Sequence, residues 1–240
     1  VQTEFILYKD LKIFIKRKPR QKRLYLYVKP GGLILVSAAK STSSPMIKSF
    51  VAKNEPWLKK SLDKMQNVVP AEVIQICDGA MVLFMGSSYK LSVQKSGKNN
   101  VFIDQAAAEK IICMESRKTD PTSLKKQLRE FYKTSAENLY QELVQKLSRH
   151  LNLKISRVRV ANQRSRWGSC SSAGVISLNL KLMAAPVDSI IYVVIHEVCH
   201  LIHPNHGPGF WKQVEKLMPH YQVHEKWLKD HARDLDFLND

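Results

Sequence analysis

His196, Glu197 and His200 make an H-E-x-x-H spacing inside the run Ile190-Ile191-Tyr192-Val193-Val194-Ile195-His196-Glu197-Val198-Cys199-His200-Leu201-Ile202. On a helix, residues four apart share a face, so both imidazoles can reach one zinc ion. Glu197 then lies beside a metal-bound water as a base rather than as a ligand. The pentapeptide arises by chance roughly once in eighty chains of this composition, so its surroundings carry the weight. The run holds no other charged residue and is apolar on almost every face, which marks a buried helix. A carboxylate and two imidazoles placed there cost several kcal/mol unless they are paired or bound to metal.

A third ligand is needed to leave one position open for water. His203 continues the helical stripe, but Pro204 should unwind the chain at that point. His206 follows a Pro204-Asn205 turn that can swing it back toward the metal, giving HExxHxxHxxH with His203 where a turn glycine would stand. Glu215, on the helix after that, is the alternative if a second helix supplies a carboxylate. His206 is the preferred choice, with His203 and Glu215 open.

These groups need a scaffold. Pro186-Val187-Asp188-Ser189 introduces the metal helix, which should stop near His203. Further helices are expected from about Pro208 to Leu217 and from Val223 onward. Upstream, Asp120-Pro121-Thr122-Ser123 opens a helix of roughly eight turns, with Leu124, Leu128, Phe131, Leu139, Leu143, Leu147 and Leu151 on one stripe. Strands are expected around 157–161 and 175–180, and the second of these is the expected edge strand for an extended substrate. Residues 5–37 read as strands (FILY, KIFI, RLYLYV, LILV), the last two joined across Lys29-Pro30-Gly31-Gly32. Thr42-Ser43-Ser44-Pro45 starts a helix with Met46, Phe50, Trp57, Leu58 and Leu62 on its apolar face. Short β-rich runs return from Val73 to Met114. No internal repeat at a fixed period is found. The fold class expected is α+β, with a β-rich domain containing one helix over 1–118 and the HExxH domain over 119–240.

The 240 residues carry a formal charge of +17, distributed unevenly. Residues 1–75 are net +10, 76–116 neutral, 117–186 net +10 and 187–240 net −3. Such charge speaks to partners rather than to fold. The apolar fraction of 44% excludes disorder along the whole length. No apolar run reaches the ~18–20 residues of a membrane span, so no membrane partner is expected. The first residues, from Val1, do not read as a leader. Cys77, Cys113, Cys170 and Cys199 are widely spaced and never form CxxC, which argues against a disulfide framework and places the protein in a reducing cytoplasm. Cys170 and Cys199 are read as inert thiols, and Trp57, Trp167, Trp211 and Trp227 as core residues rather than base-stacking ones. His220, His224 and His231 are read as surface histidines.

From Trp167-Gly168-Ser169-Cys170 through the HExxH run to Asn205-His206-Gly207-Pro208-Gly209-Phe210-Trp211, the sequence closely resembles the YgjP-like metallopeptidase family, which is related to the SprT and Wss1-type (WLM) zinc proteases. The resemblance is strongest over 155–235 and looser in the N-terminal half, around Gly86-Ser87-Ser88-Tyr89-Lys90-Leu91. It implies a zincin-like peptidase domain with zinc on His196, His200 and His206, Glu197 as base, and a protein or peptide substrate. Arg164, Arg166 and Ser169 flank the site, but a structural role for their turn keeps them out of the catalytic set.

Lys16-Arg17-Lys18-Pro19-Arg20-Gln21-Lys22-Arg23 places six cations in eight residues between two strands, as a solvated loop or a phosphate-contacting finger. Three functions follow: a zinc metallopeptidase, the same enzyme acting on DNA- or RNA-bound proteins, or an inactive zinc-containing nucleic-acid-binding module. The intact Glu197 argues against the last, since a structural metal site needs no base.

Overall fold

The computed structural model describes residues 4–19, 21–66, 75–163 and 165–237. The chain forms two compact units, Val1–Glu72 and Val73–Asp240.

In the first unit, β1 (Phe5–Tyr8), β2 (Leu11–Lys18), β3 (Tyr25–Lys29) and β4 (Leu33–Ala39) form a sheet in the order β1-β2-β4-β3. The central pair β2–β4 is parallel and the two outer pairs are antiparallel. The expected hairpin is the β3–β4 connection, where Gly31 and Gly32 take φ of 78° and 73°, a region that favours glycine. Strand alternation sends Ile13, Ile15, Ile34, Val36 and Ala38 to one face, against Ile47 and Val51 of α1 (Ser44–Lys53) and Leu58 of α2 (Glu55–Gln66). The single expected helix is thus two, separated at Asn54, whose side-chain amide donates to the Phe50 carbonyl at 2.7 Å. Trp57 is not a core residue: it is 49% exposed. Nor is the basic run a single loop. Lys16, Arg17 and Lys18 belong to β2, and Arg17 is held by Glu4 at 2.8 Å and by the Ala39 carbonyl at 3.0 Å. Arg20 lies outside the described residues.

The second unit opens with β5 (Met81–Phe84), β6 (Ser87–Lys95), β7 (Asn100–Asp104) and β8 (Ile111–Ser116), in the order β5-β6-β8-β7. Again the central pair is parallel and the outer pairs antiparallel. The repeat not found in the sequence is therefore present in the backbone. Phe5 and Met81 begin equivalent strands, as do Leu11 and Ser87, both 76 residues apart (81 − 5, 87 − 11). Lys9 and Met85 occupy the same turn position with φ of 51° and 49°. Ile15 donates to the Glu4 carbonyl, and Leu91 to the Ala80 carbonyl, both at 2.8 Å.

From β8 the chain enters α3 (Pro121–His150), capped by the Asp120 carboxylate, which accepts from the Ser123 N–H at 3.0 Å. The stripe it buries is Leu124, Leu128, Tyr132, Ala136, Tyr140 and Val144, while Phe131, Leu139, Leu143, Leu147 and Leu151 lie half-buried beside it. The two tyrosines belong there because their hydroxyls are satisfied: Tyr132 donates to the Leu83 carbonyl at 2.5 Å and Tyr140 to the Asn179 carbonyl at 2.9 Å. Beyond α3, β9 (Arg157–Ala161), β10 (Gly168–Cys170) and β11 (Val175–Asn179) form a sheet in the order β10-β11-β9. Both sides of β11 are paired, so the strand expected at the edge is the middle one, and the short β10 takes the edge. Helices α4 (Val187–Cys199), α5 (Pro208–Leu217) and α6 (Gln222–Asp230) complete the unit. The architecture is α+β, a β-rich N-terminal region followed by a helical C-terminal one. Among the described residues no helix is long and apolar enough to cross a membrane.

Candidate active site

Helix α4 is buried on nearly all sides, with Ile190, Val193, Val194, Ile195 and Val198 in the core. Its start is fixed by the β5–β6 turn: the Met85 N–H donates to the Met183 carbonyl at 2.7 Å and the Gly86 N–H to the Ala184 carbonyl at 3.2 Å. A Cβ on Gly86 would stand 2.6 Å from Pro186 Cα, so the approach is closed to any other residue.

About two and a half turns further on the helix presents His196, and one turn beyond that, at its C-terminal end, His200. His206 returns after the Pro204-Asn205 turn, and its Nε2 lies 2.9 Å from that of His196. One donor atom from each of the three histidines lies within 4.8 Å of the others, a grouping suited to a single zinc ion. His203 and Glu215 are not in that group. The His203 carbonyl instead faces His200 Nδ1 at 3.2 Å, which assigns the proton to Nδ1 and leaves Nε2 as the lone-pair nitrogen. Its ring packs on Gly209, where a Cβ would meet it at 3.2 Å.

The donor chemistry fits a metal. Burial, together with the neighbouring His200 and His206, lowers the His196 pKa to about 4. Burial lowers that of His200 as well. Both rings are thus neutral at physiological pH, as ligands must be. His196 Nδ1 is buried without a hydrogen-bond partner, a polar atom left unsatisfied by the protein itself.

Glu197 is buried, and desolvation raises its pKa to about 7 against the opposing pull of Arg166. Its carboxylate fills the space above Gly168, where a Cβ would lie 2.6 Å from Oε1. In the sequence Gly168 is one residue of the Trp167-Gly168-Ser169-Cys170 run. Its signal there was a glycine before a strand, the mark of a close approach. Asn179 sets the segment leading into β10: its amide donates to the carbonyls of Gln163 at 2.7 Å and Arg166 at 2.8 Å.

The cleft over these residues has a volume of about 780 Å³, between β10, α4 and α6. Arg166 and Ser169 line it, and Arg164 lies outside the described residues. Cys170 lines it too, with its thiol pushed up to about 11 by burial and the nearby Glu197, so it is no thiolate nucleophile. Cys199 is likewise raised to about 11 by burial, and all four cysteines are free. None of His220, His224 and His231 is among its described lining. A stack that supports the third histidine has no local signature in the sequence. Trp211 stacks on His206 with centroids 5.6 Å apart, Tyr221 on Trp211 at 5.3 Å, and Tyr192 on Tyr221 at 6.0 Å.

Three convergent imidazoles, a buried glutamate beside the first, and an α+β scaffold with an edge strand along the cleft define a zinc metallopeptidase of the HExxH type. The chain belongs to the YgjP-like family, whose metallopeptidase domain matches residues 22–231. Two solved structures are similar over a smaller part. One is the metallopeptidase zymogen of Pyrococcus abyssi abylysin, 22% identical, covering 39% of this chain and 96% of that one with a TM-score of 0.36. The other is the metallopeptidase zymogen of Methanocaldococcus jannaschii jannalysin, 19% identical, covering 39% and 95% with a TM-score of 0.34. No curated protein matches the sequence significantly.

Proposed function

We propose that this zinc-dependent peptidase uses His196, His200 and His206 as its ligands and Glu197 as its general base. The observation that carries the assignment is the joint placement of the three imidazole donors, all within 4.8 Å, beside a carboxylate buried at the same end of α4. A zinc ion held there supplies Lewis acidity, lowering the pKa of a water and offsetting negative charge on the attacked carbonyl. Glu197 accepts the proton of the attacking water and returns it to the leaving amine. Gly168, lacking a side chain, lets the carboxylate sit flush against β10.

The same strand orients the substrate. In the β10–β11 pair, the Asn179 N–H donates to the Trp167 carbonyl and the Ser171 N–H to the Val175 carbonyl. By the antiparallel alternation, the main-chain groups of Gly168 and Cys170 point away from β11, available to an extended peptide.

We assign every catalytic group to residues 119–240 and give residues 1–118 no chemical step. Four free thiols favour a reducing cytoplasm. Nucleic acid is the second partner we infer, because β1 to β4 contain no acidic residue. The deciding measurement is cleavage of an unfolded protein substrate by zinc-loaded protein, with zinc content read by atomic absorption. Glu197→Gln should lower kcat by at least 100-fold with zinc retained, and His196→Ala should lose the metal. Activity surviving in Glu197→Gln would remove the base from this scheme.

A further inference from the structure

The first sheet has one face packed on α1 and α2 and another left open. On the open face the register sets side chains in rows across the four strands. Phe5, Phe14, Leu35 and Tyr27 form one row, and Lys16, Ser37 and Tyr25 the next. On the other side of the aromatic row, Leu7, Lys12, Leu33 and Lys29 form a third. Phe5, Tyr25 and Tyr27 are 48%, 48% and 44% exposed. Three half-exposed rings with Phe14 beside them form a contiguous aromatic patch, the kind of surface that marks an interaction site.

Their arrangement specifies its chemistry. Tyr25 and Tyr27 lie on one strand with ring centroids 6.4 Å apart and planes 25° apart. Phe5 and Phe14 face each other across β1 and β2, also at 6.4 Å. The Lys12 ammonium lies 4.2 Å from the Phe5 centroid. Every charged residue on the open face is a cation: Lys12, Lys16, Lys18 and Lys29 from the strands. At the second row, the segment after β2 is anchored over Ser37, whose hydroxyl donates to Gln21 Oε1 at 2.7 Å. That anchor holds Lys22 and Arg23 at the same end of the sheet.

We propose that this open face binds single-stranded nucleic acid. The rings provide stacking surfaces for successive unpaired bases, and the flanking lysines neutralise the backbone on either side. A duplex hides its base faces, so it can use only the lysines. The proposal deepens the nucleic-acid reading above by naming the face and the strand type, and it does not depend on the peptidase chemistry.

The test uses the full-length chain carrying Glu197→Gln, so that binding is read without turnover. Fluorescence anisotropy compares a labelled 20-mer single strand of mixed sequence, the same strand as a duplex, and vesicles of phosphatidylserine and phosphatidylcholine. The single strand should bind more tightly than the duplex, with affinity falling as salt rises. Tyr27→Ala should weaken single-strand binding by about tenfold and leave duplex binding unchanged, while Tyr27→Phe should restore it. Lys16→Glu with Lys18→Glu should weaken both and flatten the salt dependence. Circular dichroism of each variant checks that the sheet is intact, and a misfolded Tyr27→Ala is replaced by Tyr25→Ala, which carries the same expectation. Equal affinity for strand and duplex, loss of neither in the tyrosine variants, preference for vesicles, or no binding at low salt would each overturn the proposal. Peptidase failure in the wild-type chain would leave these measurements unchanged.

Discussion

The two four-stranded sheets share topology, pairing directions and even the left-handed turn residue, yet they serve the molecule in opposite ways. The second has given its hairpin turn to α4: Met85 and Gly86 bond the chain just before the metal helix. The same turn in the first sheet is Lys9-Asp10, where Lys9 reaches Glu55 at 2.6 Å and Asp10 is exposed. Their strands differ as sharply. β1 to β4 carry Lys12, Lys16, Arg17, Lys18 and Lys29 with no acid. β5 to β8 carry Lys90 and Lys95 against Asp104 and Glu115. One backbone plan therefore supports a catalytic scaffold in one copy and a charged, ring-bearing face in the other, because the pairing geometry leaves outward side chains almost unconstrained.

The largest expected break in this parallel is at the turns. Gly86→Ala adds a Cβ 2.6 Å from Pro186 Cα and 3.0 Å from Pro186 N at a φ of 76°, against backbone rather than a flexible side chain. It should cost about 3 kcal/mol in urea unfolding and lower zinc affinity through displacement of α4. Asp10→Ala, at the equivalent position, should stay within about 0.5 kcal/mol. Equal costs at both turns would mean that the second turn does not position the metal helix.

The repeat escaped sequence reading because so little of it is written in residue identity. At the 76-residue offset, β1, β2, β4 and the following helix start keep only Leu7/Leu83 and Pro45/Pro121 in common. The metal site was legible for the opposite reason: a helix period and three side chains with specific chemistry fix His196, Glu197 and His200 locally, and Pro204 announces the turn to His206. Strand order is not local, so nothing in Val175–Asn179 could reveal that β9 and β10 flank it. Three residues, Gly168–Cys170, are too short for any period to emerge. On α3, two adjacent rows are apolar enough to be core. Leucine content points correctly to Leu124 and Leu128 and then to the half-buried row from Phe131 onward, since burial of Tyr132 and Tyr140 depends on a carbonyl facing each hydroxyl.

That hydroxyl makes the next comparison. In the second unit α3 is tied to β5 by Tyr132, which donates to the Leu83 carbonyl in the core. In the first, α2 is tied to the β1 hairpin by Glu55, which accepts from Tyr8 at 3.0 Å and Lys9 at 2.6 Å. Tyr132→Phe leaves a buried carbonyl without its donor and should cost about 1–3 kcal/mol at every pH, read by urea unfolding. A cost that varied with pH would show that the tie is not a simple neutral hydrogen bond.

The Glu55 tie should be smaller and conditional. Hydrogen bonds from Lys9, Tyr8 and Lys59 hold its pKa down at about 2, against an ordinary value of 4.5. A carboxylate whose pKa is depressed by folding stabilises the native state above its unfolded pKa. It loses that contribution as pH falls toward the folded value, so the window runs from about 4.5 down to about 2. The carboxylate is partly exposed and its two lysine partners lie in solvent, so the effect should shrink as salt is raised. An NMR titration of the Glu55 side chain should show its inflection near 2, rising toward 4.5 in Lys9→Ala. An unshifted inflection in that variant would mean that Lys9 is not the main cause and that Tyr8 and Lys59 hold the carboxylate down instead.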